Sequence, residues 1–221
     1  MIDAKIMLEW YHGYESKDSY GNTVHVHGLI QKLAGEAQRL KETSNLGQRF
    51  SDRTFGNFDP RRDSVAFIAC RDYANNDNLF RSRRNSMIIY GGVGSGKTHL
   101  AAAIANVMID RGIPALFGTF SEHLEHIREE FDHTGEKKYF AMMKSTPMLV
   151  LDDLGKERRT EWTQHILFDV VNYRYEHLLP MVVTTNMDFD ALGGYVGNAI
   201  FSRLYEMSGG VKTTGDDHRR K

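Results

Sequence analysis

A chain of 221 residues with 41% hydrophobic and 26% charged side chains has the make-up of one globular domain with a small extension, too short for two full domains and too apolar for a disordered chain. Twenty-eight Lys and Arg against 29 Asp and Glu leave a net charge of −1, which excludes bulk attraction to nucleic acid or to an anionic membrane; any such contact must come from a local patch. The single Cys70 excludes an internal disulfide and a cysteine-based zinc site, no apolar run approaches the roughly 20 residues of a membrane helix, and the start does not read as a signal peptide, so a cytoplasmic location without membrane contact is expected.

Residues 1–28 carry Gly13, Gly21 and Gly28 among many polar side chains and read as an irregular start. His12, His25 and His27 fall here without acidic or cysteine partners at ligand spacing, and read as solvated rather than as a metal site. From Leu29 the apolar positions Leu29, Leu33, Ala37 and Leu40 recur at helical spacing, which predicts a short amphipathic helix. Its stripe either packs on the body of the protein or meets a partner. Residues 64–74 read as a helix, and 81–86 as a polar, basic connection.

The run 87–90 is short and apolar, as a buried parallel strand is, and it ends directly in Gly91-Gly92-Val93-Gly94-Ser95-Gly96-Lys97-Thr98. A helix follows from Thr98, with Leu100, Ile104, Val107 and Met108 on one face, and stops near Gly112. Strand 115–119, helix 122–131, strand 148–151, helix 162–178 and strand 181–185 complete the pattern. Alternation at this spacing predicts a parallel sheet covered on both faces, with ligands at the carboxyl ends of the strands.

The glycine loop is a phosphate-binding pattern. Backbone N–H groups must turn inward around the phosphates in conformations that a Cβ obstructs, and the next helix presents its N-terminus to the same anion. Lys97 supplies a point charge for the β- and γ-phosphates of ATP, and Thr98 a hydroxyl for Mg²⁺. Gly91 to Thr98, with the adjoining His99, are the expected nucleotide contacts. The strand 148–151 runs into Asp152 and Asp153; Asp152 is expected in the Mg²⁺ shell, and Asp153 where a carboxylate orients and polarises the attacking water. Asn186, at the tip of strand 181–185, can hydrogen-bond the γ-phosphate or that water. Lys137, Lys138, Tyr139 and Lys144 are a candidate nucleic-acid contact, although a solvated helix face explains the same residues. Ser208-Gly209-Gly210 reads as a turn.

In this order, the phosphate loop, the strand ending Asp-Asp, the strand ending Thr-Thr-Asn and Ala199-Ile200-Phe201-Ser202-Arg203-Leu204-Tyr205-Glu206 resemble the AAA+ ATPases, and more narrowly the DnaC/DnaI-type helicase loaders. The likeness extends from about Phe50 to the C-terminus and includes Arg53-Thr54-Phe55-Gly56-Asn57-Phe58, Asp152-Asp153-Leu154-Gly155-Lys156-Glu157 and Gly215-Asp216-Asp217-His218-Arg219. The resemblance implies an α/β P-loop NTPase fold of the AAA+ type, with a parallel five-stranded sheet sandwiched by helices. It divides the chain into a short helical N-terminal extension, 1–49, and an ATPase domain, 50–221, with too few residues after Arg203 for a full C-terminal helical lid.

By the same resemblance Asn186 is a first sensor, Phe55 borders the adenine, and Arg203 is an arginine finger lent to a neighbouring subunit. Core packing is the alternative for Phe55, an ion pair with Glu206 the alternative for Arg203, and a frayed tail the alternative for Arg219 as a second sensor. The implied function is an ATP-dependent loader that assembles as a homo-oligomer on ATP binding, grips a hexameric replicative DNA helicase and helps place it on single-stranded DNA. The extension lacks the zinc-binding cysteine cluster of some loaders, which leaves the mode of gripping open. Competing readings are an IstB-type transposition helper acting with a transposase on duplex DNA, a small-molecule kinase, and a nucleotide-gated binding protein with negligible hydrolysis.

Overall fold

Short aliphatic runs, each long enough to cross one layer, form the sheet. In the computed structural model, which describes residues 39–40, 42–61, 63–134 and 138–215, the strands are β1 (Ser86–Gly91), β2 (Ala115–Thr119), β3 (Met148–Asp152), β4 (Met181–Thr185) and β5 (Ser208–Thr213). They lie in the order β2-β3-β4-β1-β5, and every pair is parallel, with Met87 beside Val182, Leu149 beside Met181 and Ala115 beside Met148. Successive side chains point to opposite faces. Ile89, Val150 and Val182 therefore enter one core, with Leu100, Ile104 and Met108 of α3 (Lys97–Asp110) and Ala66, Cys70 and Ala74 of α2 (Ser64–Ala74). Ile88, Leu149, Leu151 and Val183 enter the other, with Leu167 and Val170 of α6 (Glu161–Glu176), Leu124 of α4 (Phe120–Thr134) and Met143 of α5 (Lys138–Ser145). Leu192 of α7 (Phe189–Val196) and Leu204 of α8 (Asn198–Met207) close that second face.

The chain leaves β1 near one edge and returns as β2 at the far edge, so the carboxyl ends of β1, β3 and β4 stand side by side at a change in strand order, where open α/β sheets bind ligands. A one-turn helix, Phe55–Asn57, and α1 (Gln48–Ser51) flank α3, where Asn106 donates to the carbonyls of Phe50 and Arg53.

The fold corrects the reading of 208–210. Ser208, Gly209 and Gly210 begin β5, paired with Ser86, Met87 and Ile88, and are not a turn. Glycine is a poor strand former alone. Here β1 supplies a full ladder, and a Cβ at Gly210 would come within 2.7 Å of the Phe189 ring, so the site selects a residue without a side chain. Helix α7, of eight residues, lies in a stretch with no sequence-predicted element, and α5, of the same length, covers residues 138–144, for which a helix face is the alternative reading. Of the predicted helix 29–40, Leu29, Leu33 and Ala37 lie outside the described residues, as do His12, His25, His27, Lys137 and Arg219; Leu40 is helical and packs on the first core.

One buried cation ties the second layer together. Arg174 of α6 is fully buried and donates to the carbonyls of Met143, Lys144 and Thr146 through Nη1, and of Pro147 and Pro180 through Nη2. No helix among the described residues is long and apolar enough to cross a membrane.

Candidate active site

The phosphate loop leaves β1 at Gly91 (φ 146°) and re-enters helical structure at Gly96 (φ 95°), the N-cap of α3. Both need glycine. A Cβ on Gly91 would collide with the Thr213 carbonyl, and one on Gly96 would lie 2.9 Å from the Phe58 ring. Ser95 Oγ donates to the Gly92 carbonyl at 2.8 Å and lies 2.6 Å from Thr213 Oγ1, which itself donates to the Tyr90 carbonyl at 3.1 Å. Strand β5 thus buttresses the loop from the side. Val93 stands exposed within the loop, while Lys97 is buried and spends its ammonium on the loop's own carbonyls, Gly91 at 3.0 Å and Gly92 at 2.6 Å.

Thr98 Oγ1 donates to Asp152 Oδ2 at 3.0 Å, and Thr184 Oγ1 donates to Asp152 Oδ1, so two hydroxyls from different elements hold one buried carboxylate. Burial pushes the Asp152 carboxyl up to about 6; the Thr184 and Thr98 hydrogen bonds oppose that rise and the neighbouring Asp153 charge adds to it. Asp153 adopts a left-handed conformation (φ 54°), and its amide donates to Thr184 Oγ1 at 2.9 Å. From that backbone its Oδ2 meets Lys156 Nζ at 2.5 Å. Thr184 therefore orders both acids, although its position within a β-branched strand gives no signal of that role. Asn186 is exposed one residue beyond β4.

The segment before α2 lies along the start of α3. His99 Nε2 is 2.9 Å from the Thr54 carbonyl, and its ring meets Phe58 edge-on at 5.2 Å. Phe55 is half-buried, edge-on to Phe67 at 5.8 Å and packed against the first core. Core packing accounts for Phe55, and the aromatic ring that lies against the loop is that of Phe58, beside Gly96.

Arg203 is grouped elsewhere. Its Nη1 donates to the Ala199 carbonyl of its own helix, and its guanidinium lies 5.5 Å from the Phe168 ring and 5.8 Å from the Tyr175 ring, both on α6. Glu206 accepts from the Tyr175 hydroxyl at 2.9 Å. The expected alternative, an Arg203–Glu206 pair, gives way to cation–π packing.

Of the candidate nucleic-acid residues, Tyr139 belongs to the fold: its hydroxyl lies 2.7 Å from His123 Nδ1, and its ring packs on the second core. Lys144 is drawn over the Phe140 and Tyr173 rings, at 4.7 and 5.4 Å, and Lys138 is exposed. A different basic and aromatic ledge follows the acids along the chain and touches them at Lys156. Lys156, Arg158 and Arg159 are exposed on the loop after β3, Trp162 is 37% exposed in the first turn of α6, and Arg128 of α4 lies 5.3 Å over the Trp162 ring. The clustered charges at 156–159 are visible in the sequence. The pairing of Arg128 with Trp162 is not.

A family profile described as "IstB-like ATP binding protein" matches residues 15–221. Among curated relatives, the phage-like element PBSX protein XkdC of Bacillus subtilis is 30% identical over 80% of this chain and 67% of its own length. An insertion sequence IS5376 putative ATP-binding protein of Geobacillus stearothermophilus is 31% identical over 79% of this chain and 67% of its own. The replicative helicase loader DnaC of Buchnera aphidicola is 24% identical over 80% and 72%. Among solved structures, the DnaC helicase loader superposes with a TM-score of 0.69 at 24% identity, covering 76% of this chain and all of that one.

Proposed function

The chain belongs to the family of IstB-like ATP binding proteins, and from that premise we propose that it is a helicase loader: an ATPase that binds a replicative DNA helicase and helps place it on single-stranded DNA. The AAA+ P-loop ATPase fold is shared with the DnaC and DnaA structures. The observation that carries the loader reading is the loop after β3, which joins the acid pair at one end to the Lys156, Arg158, Arg159 and Trp162 ledge at the other. Stacking of an unpaired base on Trp162, with phosphates on the basic side chains, suits single strands better than a closed duplex, whose bases are hidden. Assembly of several copies on ATP, in a cytoplasmic setting, completes the reading.

In this reading Lys97 exchanges the carbonyls of Gly91 and Gly92 for the β- and γ-phosphates, and the N-terminus of α3 faces the same charge. The donor set of Thr98 and Asp152, two hard oxygens already 3.0 Å apart, fits Mg²⁺, which takes few protein ligands and keeps several waters. When bound, Mg²⁺ neutralises charge that builds on the phosphates. Asp153 accepts a hydrogen bond from the attacking water, Asn186 orients that water or the γ-phosphate, and Phe55 and His99 border the nucleotide. Arg203 reaches the site of a neighbouring copy and stabilises the transferring phosphoryl group, leaving its α6 aromatic shelf exposed to the same interface.

The test is co-purification of the full chain with a hexameric helicase, with and without ATP, followed by helicase loading on single-stranded DNA. A chain that neither associates with the helicase nor alters its loading would overturn the proposal. A transposition helper is the second reading, favoured by the family description and the insertion-sequence relative; preference for duplex DNA together with binding of a transposase would select it.

A further inference from the structure

The loop after β3 contains a contact that ATP hydrolysis does not require. Lys156 Nζ and Asp153 Oδ2 form an ion pair at 2.5 Å, three residues apart, with the lysine side chain 55% and the aspartate 22% exposed. The loop that makes the pair is braced. The amides of Asp153 and Leu154 are held by Thr184, the Gly155 amide by both carboxylate oxygens of Glu157 at 3.2 Å, and Glu157 in turn by the Tyr195 hydroxyl at 2.6 Å. Asp153 therefore has a fixed backbone, and Lys156 sits on the carboxylate that the proposed chemistry needs.

An acid engaged by an ammonium is a weaker acceptor for a water proton than an unengaged one, because part of its charge is already neutralised. Exposed pairs of this kind hold only weakly, so a competing anion can take the lysine, whose flexible stem and three donors suit a phosphodiester. Arg158, Arg159 and Trp162 follow Lys156 on the same loop and the first turn of α6, with Arg159 Nη1 also donating to the Gly194 carbonyl at 3.2 Å, so a strand bound along this stretch would pass Lys156 and offer it a phosphate.

We infer that Lys156 is a positioning residue for Asp153, holding it off the attacking water until a single-stranded nucleic-acid phosphate draws the lysine away. Turnover then rises when the strand is on the ledge. The inference rests on the reading above, in which Asp153 serves the water and the 156–162 ledge binds nucleic acid. The weakness of an exposed pair bounds the effect at about fivefold in rate.

The experiment measures steady-state ATP turnover of the full chain, with and without a thymidine oligonucleotide, for wild type, Lys156→Met, Lys156→Arg and Asp153→Asn. Lys156→Met should raise turnover without oligonucleotide by about two- to fivefold, at unchanged KM for ATP, and should respond less to added oligonucleotide. Lys156→Arg, which keeps the charge, should restore low basal turnover and the response. If Asp153→Asn keeps full turnover, or the oligonucleotide neither binds nor stimulates wild type, the underlying site reading is overturned and this inference with it. If both controls behave as expected and Lys156→Met shows no rise, or keeps the whole stimulation, the lysine inference alone is overturned.

Discussion

Asp152→Asn should make the nucleotide-free chain more stable and the nucleotide-bound chain less so. The carboxyl is 2% exposed and titrates near 6 in the fold against 3.8 when unfolded, chiefly through burial. A group whose pKa is raised by folding stabilises fully below the unfolded value and loses that contribution as pH rises through the folded one. Two units correspond to about 3 kcal/mol at most, so at pH 7 the ionised acid is a liability to the empty site. Asparagine keeps the shape, and its amide can accept from one of the Thr98 and Thr184 hydroxyls and donate to the other, so the expected gain is about 1–3 kcal/mol, several degrees in melting temperature for a domain of this size. Thermal unfolding from pH 4 to 7.5 should show the variant's advantage opening between about pH 4 and 6. Added Mg²⁺ and a non-hydrolysable ATP analogue should raise the melting temperature of wild type much more than that of the variant, because the amide is a poor Mg²⁺ ligand. A variant less stable than wild type at pH 7 without ligand would refute the burial argument.

Other substitutions probe other parts of the structure. His123 is buried and pushed down to about 4, mainly by burial, so its stabilisation is full above about pH 6.5 and is lost as pH falls towards 4; His123→Gln should flatten that part of the urea-unfolding pH profile, worth up to about 3 kcal/mol. Arg174→Met removes the donor for five carbonyls and should cost more than about 3 kcal/mol in chemical denaturation. Trp162→Ala should weaken single-stranded oligonucleotide binding by about 1–3 kcal/mol in a fluorescence titration while leaving the melting temperature within a few degrees. Lys97→Ala should eliminate nucleotide binding in isothermal titration, since no other side chain of the loop carries positive charge.

Much of the architecture is legible from local pattern. Strands 115–119 and 181–185 and helix 64–74 coincide with β2, β4 and α2 because each is bounded by strong local signals. The short α7 escaped because eight residues carry too few turns of periodicity to stand out. Strand β5 escaped because Ser-Gly-Gly has turn chemistry, and only β1 beside it and the Phe189 ring above Gly210 reverse that preference. At the site, Thr98 and Asp152 were recognisable from their motifs, whereas Thr184 looks like any β-branched strand residue until its hydroxyl meets Asp152 and its oxygen the Asp153 amide.

The sequence alone therefore determined the class of fold and the phosphate loop, because hydrophobic period and glycine placement are properties of neighbouring residues. Tertiary structure decided which groups share the acid pair, why β5 exists, that Tyr139 is inward while Trp162 is outward, and that Arg203 rests on Phe168 and Tyr175. Each of those depends on parallel register and helix packing that bring together residues far apart along the chain, and no local pattern records the distance between them.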